Sequence, residues 1–358
     1  MPLVEDNIDT HDENLTRIFW DSFSHQKSGE IVDDDKNSWV IFHEDEFSML
    51  IYHYESIISS PIGRILHNSA ADSLELIIAK LATIRTRFFG KKRLNKMLVE
   101  VWKLCGWGTN SFHNSTIKTN LFASVAAGFY LSTIELLEDC RYKLEWSQKF
   151  NHIIDFKRTN ANNEMVPPKL IKSIQWAYLD DFQESIIDSD VKLESQELGW
   201  SIEGRTSFLL PCDFFNRVIL NSSGFVEELP LKIREKWDLV GFDKIYSNGL
   251  IAMLESSKEV FLSMDNFVYL RDERDWGETI VKHMAYYGYT TPELSKQDHL
   301  KTIFEMNLTP SLPFSLGKLV GIWERANGKV AKCRIILENQ IVIIEISPLL
   351  EYILDDTN

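Results

Sequence analysis

His43, Glu44, Asp45 and Glu46 stand in one run with His53 downstream, and imidazole beside carboxylate is a donor set able to hold a divalent metal. The spacing argues against a metal site. H-E-x-x-H sets two histidines one helical turn apart, and that arrangement is missing here, so the run reads as a solvated acidic loop. Asp180-Asp181 and the run Arg271 to Asp275 read likewise as exposed charge faces. Cys140 and Cys333 could serve as nucleophiles, but their strand-like apolar surroundings favour buried small hydrophobes. No G-x-S-x-G, G-x-x-x-x-G-K-[ST] or G-x-G-x-x-G stretch occurs, so hydrolase elbows, phosphate loops and dinucleotide turns find no support. The sequence thus assigns no catalytic residue and no metal ligand, and it names no cofactor.

Composition bounds the remaining classes. In 358 residues, 53 acidic side chains face 38 basic ones for a net charge of -15, a field that repels nucleic acid and anionic lipid. One basic patch, Arg85, Arg87, Lys91, Lys92, Arg93 and Lys96, reads as a solvated helix junction. The four cysteines, Cys105, Cys140, Cys212 and Cys333, form no C-x-x-C pair, which fits reduced thiols in a cytoplasmic protein. The start of the chain is acidic and has no apolar signal region, and the apolar run from Leu121 to Leu137 is too short and too polar to span a membrane. A hydrophobic fraction of 44% predicts a folded chain, and the length predicts two domains.

The elements that would position any site follow from periodicity. Residues 1–37 are acidic and poor in anchors, and predict a flexible lead-in. Ile62, Ile65, Leu66, Ala70, Leu74, Ile77, Ile78, Leu81 and Ile84 recur at helical steps, and Leu94, Met97, Leu98, Val101, Trp102 and Cys105 mark a second helix ending at Gly106. Polar residues from Lys157 to Pro168 predict a linker, and Leu170, Ile171, Ile174, Trp176, Ala177, Phe182 and Ile186 predict a connecting helix after it. Two internal matches join the halves of the chain. Helix, glycine stop and aromatic recur at Gly106-Trp107 and Gly288-Tyr289, and Gly128 precedes Cys140 by the same twelve residues that part Gly321 from Cys333. Each match predicts a helix ending near the glycine and then an antiparallel strand. In the second half, Leu300 to Leu308 reads as a strand, Phe314 to Ala326 as a helix, and Arg334 to Glu338 with Gln340 to Ile346 as a hairpin. The first half shows no such clear hairpin, which predicts divergence and one lost pocket.

The expected architecture is α+β, with two tandem domains over 38–156 and 201–358, each a small antiparallel sheet covered on one face by helices, joined by 157–200. That order, with the strand ending in NLTPSLP, the G-K-L-V-G-I helix and the cysteine-bearing hairpin, resembles the 4-vinyl reductase (4VR) type ligand-binding domain, whose fold TRAPP tethering subunits share. The resemblance is best from Trp276 to Ile346 and weaker from Ile62 to Phe156. It implies an apolar pocket for an aromatic molecule, a tetrapyrrole or an acyl group. Zinc-binding members carry several cysteines near the last hairpin, whereas each half here has one, Cys140 or Cys333, without Cys or His neighbours.

Such a pocket would be lined by aromatic rings with a few polar handles. The candidates are Trp102, Trp107, Phe129 and Tyr130 in the first half, and His283, Tyr287, Tyr289 and Trp323 in the second. An aromatic ring at helical spacing usually serves packing, whereas His283 as a half-buried imidazole needs a partner and could bond a ligand. The expected function is a non-catalytic sensor or adaptor binding an apolar small molecule or acyl group. Two alternatives stay open: an assembly protein acting through a protein partner or a homo-oligomer, and an enzyme of tetrapyrrole or aromatic metabolism.

Overall fold

A computed structural model describes residues 11–349 apart from 86–88, 111–114, 151, 165, 178–188, 227 and 299. The chain opens with α1 (Glu13–Ser22), β1 (Phe23–His25) and β2 (Ile31–Asp33). The first half then runs β3 (Ser38–His43), α2 (Glu44–Ile58), α3 (Gly63–Ile78), α4 (Ala82–Arg85), α5 (Gly90–Leu104), β4 (Thr109–Asn110), β5 (Thr116–Lys118), α6 (Ala123–Glu138), β6 (Tyr142–Gln148) and β7 (Ile153–Asn160). After β8 (Glu194–Gln196) and β9 (Gly199–Ile202), the second half runs β10 (Arg205–Pro211), α7 (Cys212–Ser222), α8 (Leu231–Arg234), β11 (Trp237–Val240), α9 (Lys244–Ser263), α10 (Asp275–His283), β12 (Glu293–Gln297), β13 (Thr302–Asn307), α11 (Leu312–Asn327), β14 (Ala331–Glu338) and β15 (Ile341–Pro348). Helices pack on sheets that are antiparallel except where β11 joins β14, so the class is α+β.

The halves share one order, strand, three helices, two strands, helix and hairpin, apart from the extra elements α4, α8 and β11. One outer sheet has the order β4-β5-β7-β6 and the other β12-β13-β15-β14, with β11 added at its edge. The first half therefore does have the terminal hairpin that its sequence hides: β6 and β7 pair antiparallel from Tyr142 opposite Asn160 to Gln148 opposite Ile154. Its solvent-facing strands carry charged and polar side chains, which erased the apolar alternation that marks β14 and β15.

The register of the repeat differs from the glycine-to-cysteine match. Both α6 and α11 end in a left-handed residue, Asp139 and Gly328, and both use a glutamate to hold the next strand: Tyr142 N donates to Glu135 Oε1 at 2.7 Å, and Ala331 N to Glu324 Oε1 at 2.9 Å. These pairs are all 189 positions apart, so Gly128 corresponds to Gly317 and lies one helical turn away from the match with Gly321. Gly128 and Gly321 sit inside helices, Cys140 precedes its strand, and Cys333 lies within its own. The coincidence of Cys, Arg, Leu and Glu is thus not the structural correspondence.

At the centre, β3 and β10 pair antiparallel with Ile41 opposite Leu209, in a sheet ordered β1-β2-β3-β10-β9-β8. Strands of both halves build this sheet, so a boundary at 157–200 does not divide the centre. Each half places its glycine corner on the other half's strand. Gly106 has φ +74° and an added Cβ would lie 2.9 Å from Ser207 O; Gly288 has φ +81° and its Cβ would lie 2.5 Å from Trp39 O. Trp107 Nε1 then donates to Leu209 O at 2.7 Å, and Tyr289 Oη to Ile41 O at 3.5 Å. The glycine stop and its aromatic are the joints of the pseudo-twofold seam.

Three further expectations are corrected. Residues 11–37 are built into the structure: Asp12 caps α1 by accepting from Leu15 N at 2.9 Å, and Phe19 and Ile31 are fully buried. No helix forms over 170–177, although Ile171, Ile174 and Trp176 are buried and Trp176 Nε1 donates to Asn216 Oδ1 at 3.0 Å; Phe182, Ile186, Asp180 and Asp181 lie outside the described residues, as does Arg87 of the basic patch. The acidic run is no loop. His43 ends β3 and Glu44, Asp45 and Glu46 form the first turn of α2, where the helix dipole favours carboxylates, and His43 and Glu46 are buried.

Burial also sets the acid limit of the fold. Desolvation lowers the pKa of His25, and takes His43, His67 and His283 down to about 4. A depressed imidazole stabilises the fold above the unfolded value near 6.5, and that contribution disappears as pH falls towards 4. The melting temperature is therefore expected to drop between about pH 6.5 and 4. His67 stacks on Trp146 with centroids 4.6 Å apart and its Nδ1 has no hydrogen-bond partner among the described residues, so His67→Phe should remove up to about 3 kcal/mol of that loss. An unchanged melting profile in the variant would refute the assignment.

Candidate functional site

A buried charged cluster sits on the seam. It arises because β3 leads directly into α2, which turns His43 and Glu46 inward, while β10 supplies Arg205 and Ser207 from the neighbouring strand. The corner after α10 adds Tyr287 and Tyr289, and α11 adds Lys318. Ser207 Oγ lies 2.8 Å from His43 Nδ1, and Tyr287 Oη lies 3.4 Å from His43 Nε2. Arg205 forks onto Asp45 at 2.8 and 3.0 Å and reaches Glu46 Oε1 at 3.2 Å. Lys318 Nζ lies 4.8 and 4.6 Å from the ring centres of Tyr287 and Tyr289, and 4.0 Å from Glu46 Oε2.

The electrostatics of this cluster are set by desolvation. Burial lowers the pKa of Lys318, and the opposing pull of Glu46 does not restore it; Arg205 adds to the fall. Burial and then Glu46 push Tyr287 up to about 12, so its hydroxyl stays protonated. The set offers a lysine amine, a neutral imidazole and a phenol donor within one seam, which is the raw material of proton transfer and nucleophilic attack.

Of the predicted residues, His283, Tyr287 and Tyr289 are brought to this cluster. His283 is lowered first by burial and then by the charge of Lys318, and its ring meets Phe261 edge-on at 5.4 Å. The others are packed core. Trp107 stacks on Phe129 at 4.2 Å, Tyr130 on Phe156 at 4.0 Å, and Trp102 Nε1 donates to Thr133 Oγ1 at 3.1 Å. Trp323 Nε1 donates to Thr302 Oγ1 at 2.9 Å. Sequence reasoning missed Lys318, Glu46, His43 and Arg205 as partners. One signal was available: the lysine interrupts the apolar run LGKLVGIW on what must be a buried helix. Cys105, Cys212 and Cys333 are buried with thiols pushed up by burial, so they are held protonated. Among the described residues no group of three or more His, Cys, Asp or Glu is placed to hold a metal.

An open cleft lies elsewhere. A cleft of about 680 Å³ opens between α1, β2 and β3 on one side and α3 and α5 on the other. Its apolar wall includes Leu15, Phe23, Trp39, Ile78, Met97 and Val101, and its rim has six carboxylates against Lys80 and Lys103. Asp33 is occupied in building the turn, accepting from Asn37 N at 2.9 Å and from Trp39 Nε1 at 3.1 Å. Lys80 pairs with Asp35. None of the aromatic candidates lines this cleft.

Among the described residues no helix is long and apolar enough to cross a membrane. No family model, no curated protein and no solved structure matches the chain.

Proposed function

We propose that the chain binds an apolar small molecule or acyl group in the cleft between α1 and the α3–α5 pair, and acts as a non-catalytic sensor or adaptor in the cytoplasm. One observation carries the reading: an open volume of about 680 Å³ with an apolar wall, within the size range of small-molecule sites. A cleft of that size in a chain otherwise packed around many fully buried aromatic rings is a feature the core does not require. The resemblance to the 4VR-type domain belongs to this proposal, with the pocket moved away from the aromatic corner to the outer face of the first half. The cluster of carboxylates at the rim disfavours anionic ligands.

A neutral apolar fluorophore such as Nile red tests it. Titration of the full chain should give saturable binding and a raised melting temperature, and Val101→Trp, which fills the cleft from its wall, should weaken binding about tenfold or more while leaving the fold intact. Equal binding by the variant, or none by the parent chain, removes the proposal.

A further inference from the structure

We propose that Lys318 is the reactive amine of a second site, on the seam between the halves, where a small aldehyde condenses with Nζ to form an imine. The lysine side chain keeps only 9% of its exposure, yet Nζ makes no hydrogen bond to any described residue, and its nearest carboxylate oxygen is 4.0 Å away. A buried ammonium normally holds acceptors on its three protons, because desolvation without them is costly. Here two tyrosine faces take their place.

The fold does not need an amine at this position. By the 189-residue correspondence Lys318 stands where the first half has Phe129, and by the matched glycine corners at Gly106 and Gly288 Tyr289 stands where it has Trp107. In the first half those two rings stack at 4.2 Å, and the corner is closed by that packing and the Trp107 hydrogen bond to Leu209 O, with no charged group there among the described residues. In the second, a lysine has replaced the ring and is met by polar groups drawn from both halves: Glu46 and His43 from one, Arg205, His283 and Tyr287 from the other. The half-buried Tyr287 and an Arg205 side chain 37% exposed place this cluster at the edge of the seam.

Chemically, an uncharged lysine is a nucleophile towards carbonyl carbon, and a desolvated lysine beside a second cation is the arrangement that frees its lone pair. Nζ attacks the aldehyde carbon and the carbonyl π pair moves to oxygen. The two nitrogen protons leave with that oxygen as water, and a C=N bond remains, so no oxidant or reductant is required. Tyr287 Oη, 3.4 Å from His43 Nε2 with Ser207 Oγ behind at 2.8 Å, can hand a proton to the departing oxygen.

The test uses the intact chain, acetaldehyde as the probe and borohydride to reduce any imine, followed by peptide mapping. At limiting aldehyde near neutral pH the ethyl adduct is expected on Lys318, about tenfold or more ahead of exposed lysines such as Lys96 and Lys157. Lys318→Phe, which restores the residue of the first half, should fold and lose that adduct while the others persist. Adducts spread over exposed lysines with Lys318 unmodified, or modified no faster than they are, would overturn the proposal. The mapping is read on the parent chain, so the outcome does not depend on the variant folding, and it is independent of Nile red binding in the cleft.

Discussion

Gly317→Val is expected to lose more than about 3 kcal/mol of stability, and Gly128→Val a similar amount. An added Cβ at Gly317 would lie 2.4 Å from Leu254 O and 2.6 Å from Ser257 Cβ; at Gly128 it would lie 2.3 Å from His67 O and 2.8 Å from Ala70 Cβ. The atoms met first are backbone carbonyls of α9 and α3, which cannot move without bending a helix. The same wedge enters the same crossing in each half, since α6 packs on α3 as α11 packs on α9. Gly277 in α10 is the control: nothing lies within 4 Å of its Cβ, so Gly277→Ala should gain about 0.5–1 kcal/mol from helix propensity. Urea denaturation of the three variants decides it, and a Gly317→Val chain as stable as the control would show that the crossing is not close.

Lys258→Met is expected to cost about 3–5 kcal/mol, despite the added apolar surface. Lys258 is 2% exposed and bridges Glu255 at 3.0 Å, Glu259 at 3.2 Å and Glu324 at 3.7 Å. Glu255 also receives Lys236 at 2.8 Å and Trp237 Nε1 at 2.8 Å, which ties α9 to the strand β11 at the sheet edge. Removing the ammonium strands buried carboxylates against one another. The pH response distinguishes this from a packing defect. Burial pushes Glu255 up, but Lys258 and Lys236 together bring it below the ordinary carboxylate value. Its contribution is present above the unfolded pKa near 4.3 and is lost as pH falls through the lower folded value. In Lys258→Met the deficit against the parent chain should therefore shrink as pH falls below about 4, and Glu255→Gln added to it should recover part of the loss at pH 7. A deficit that stays constant with pH would assign the effect to packing.

Both predictions rest on features that single-chain periodicity exposes unevenly. The apolar stripes of α3 and α5, the strand β13, the helix α11 and the last hairpin follow from spacing alone, because each buries one face and alternation records which. The paired glycine corners were legible too, since a helix stop followed by an aromatic is a local signal. The hairpin β6–β7 was not: with Lys143, Glu145 and Lys157 facing solvent it buries little, so its pattern looks like loop. Nor was the four-residue slip in the repeat, because a chance coincidence of Cys, Arg, Leu and Glu outweighed the glycine that touches a neighbouring helix. Which aromatic candidates pack was not legible in the sequence, for a general reason. A ring that packs and a ring that lines a cavity have the same sequence signature, and Trp102, Trp107, Phe129, Tyr130 and Trp323 pack.

The sequence by itself determined the α+β class and the helices and strands with one buried face, since these depend on residues close in the chain. Tertiary structure alone decided that the halves share a central sheet, that the acidic run turns inward, and that Lys318 meets Glu46, 272 positions away in the chain. Charge and burial of that kind are properties of a neighbourhood assembled from distant segments. No local pattern records whether a lysine on an apolar helix faces water or the rings of another strand's corner.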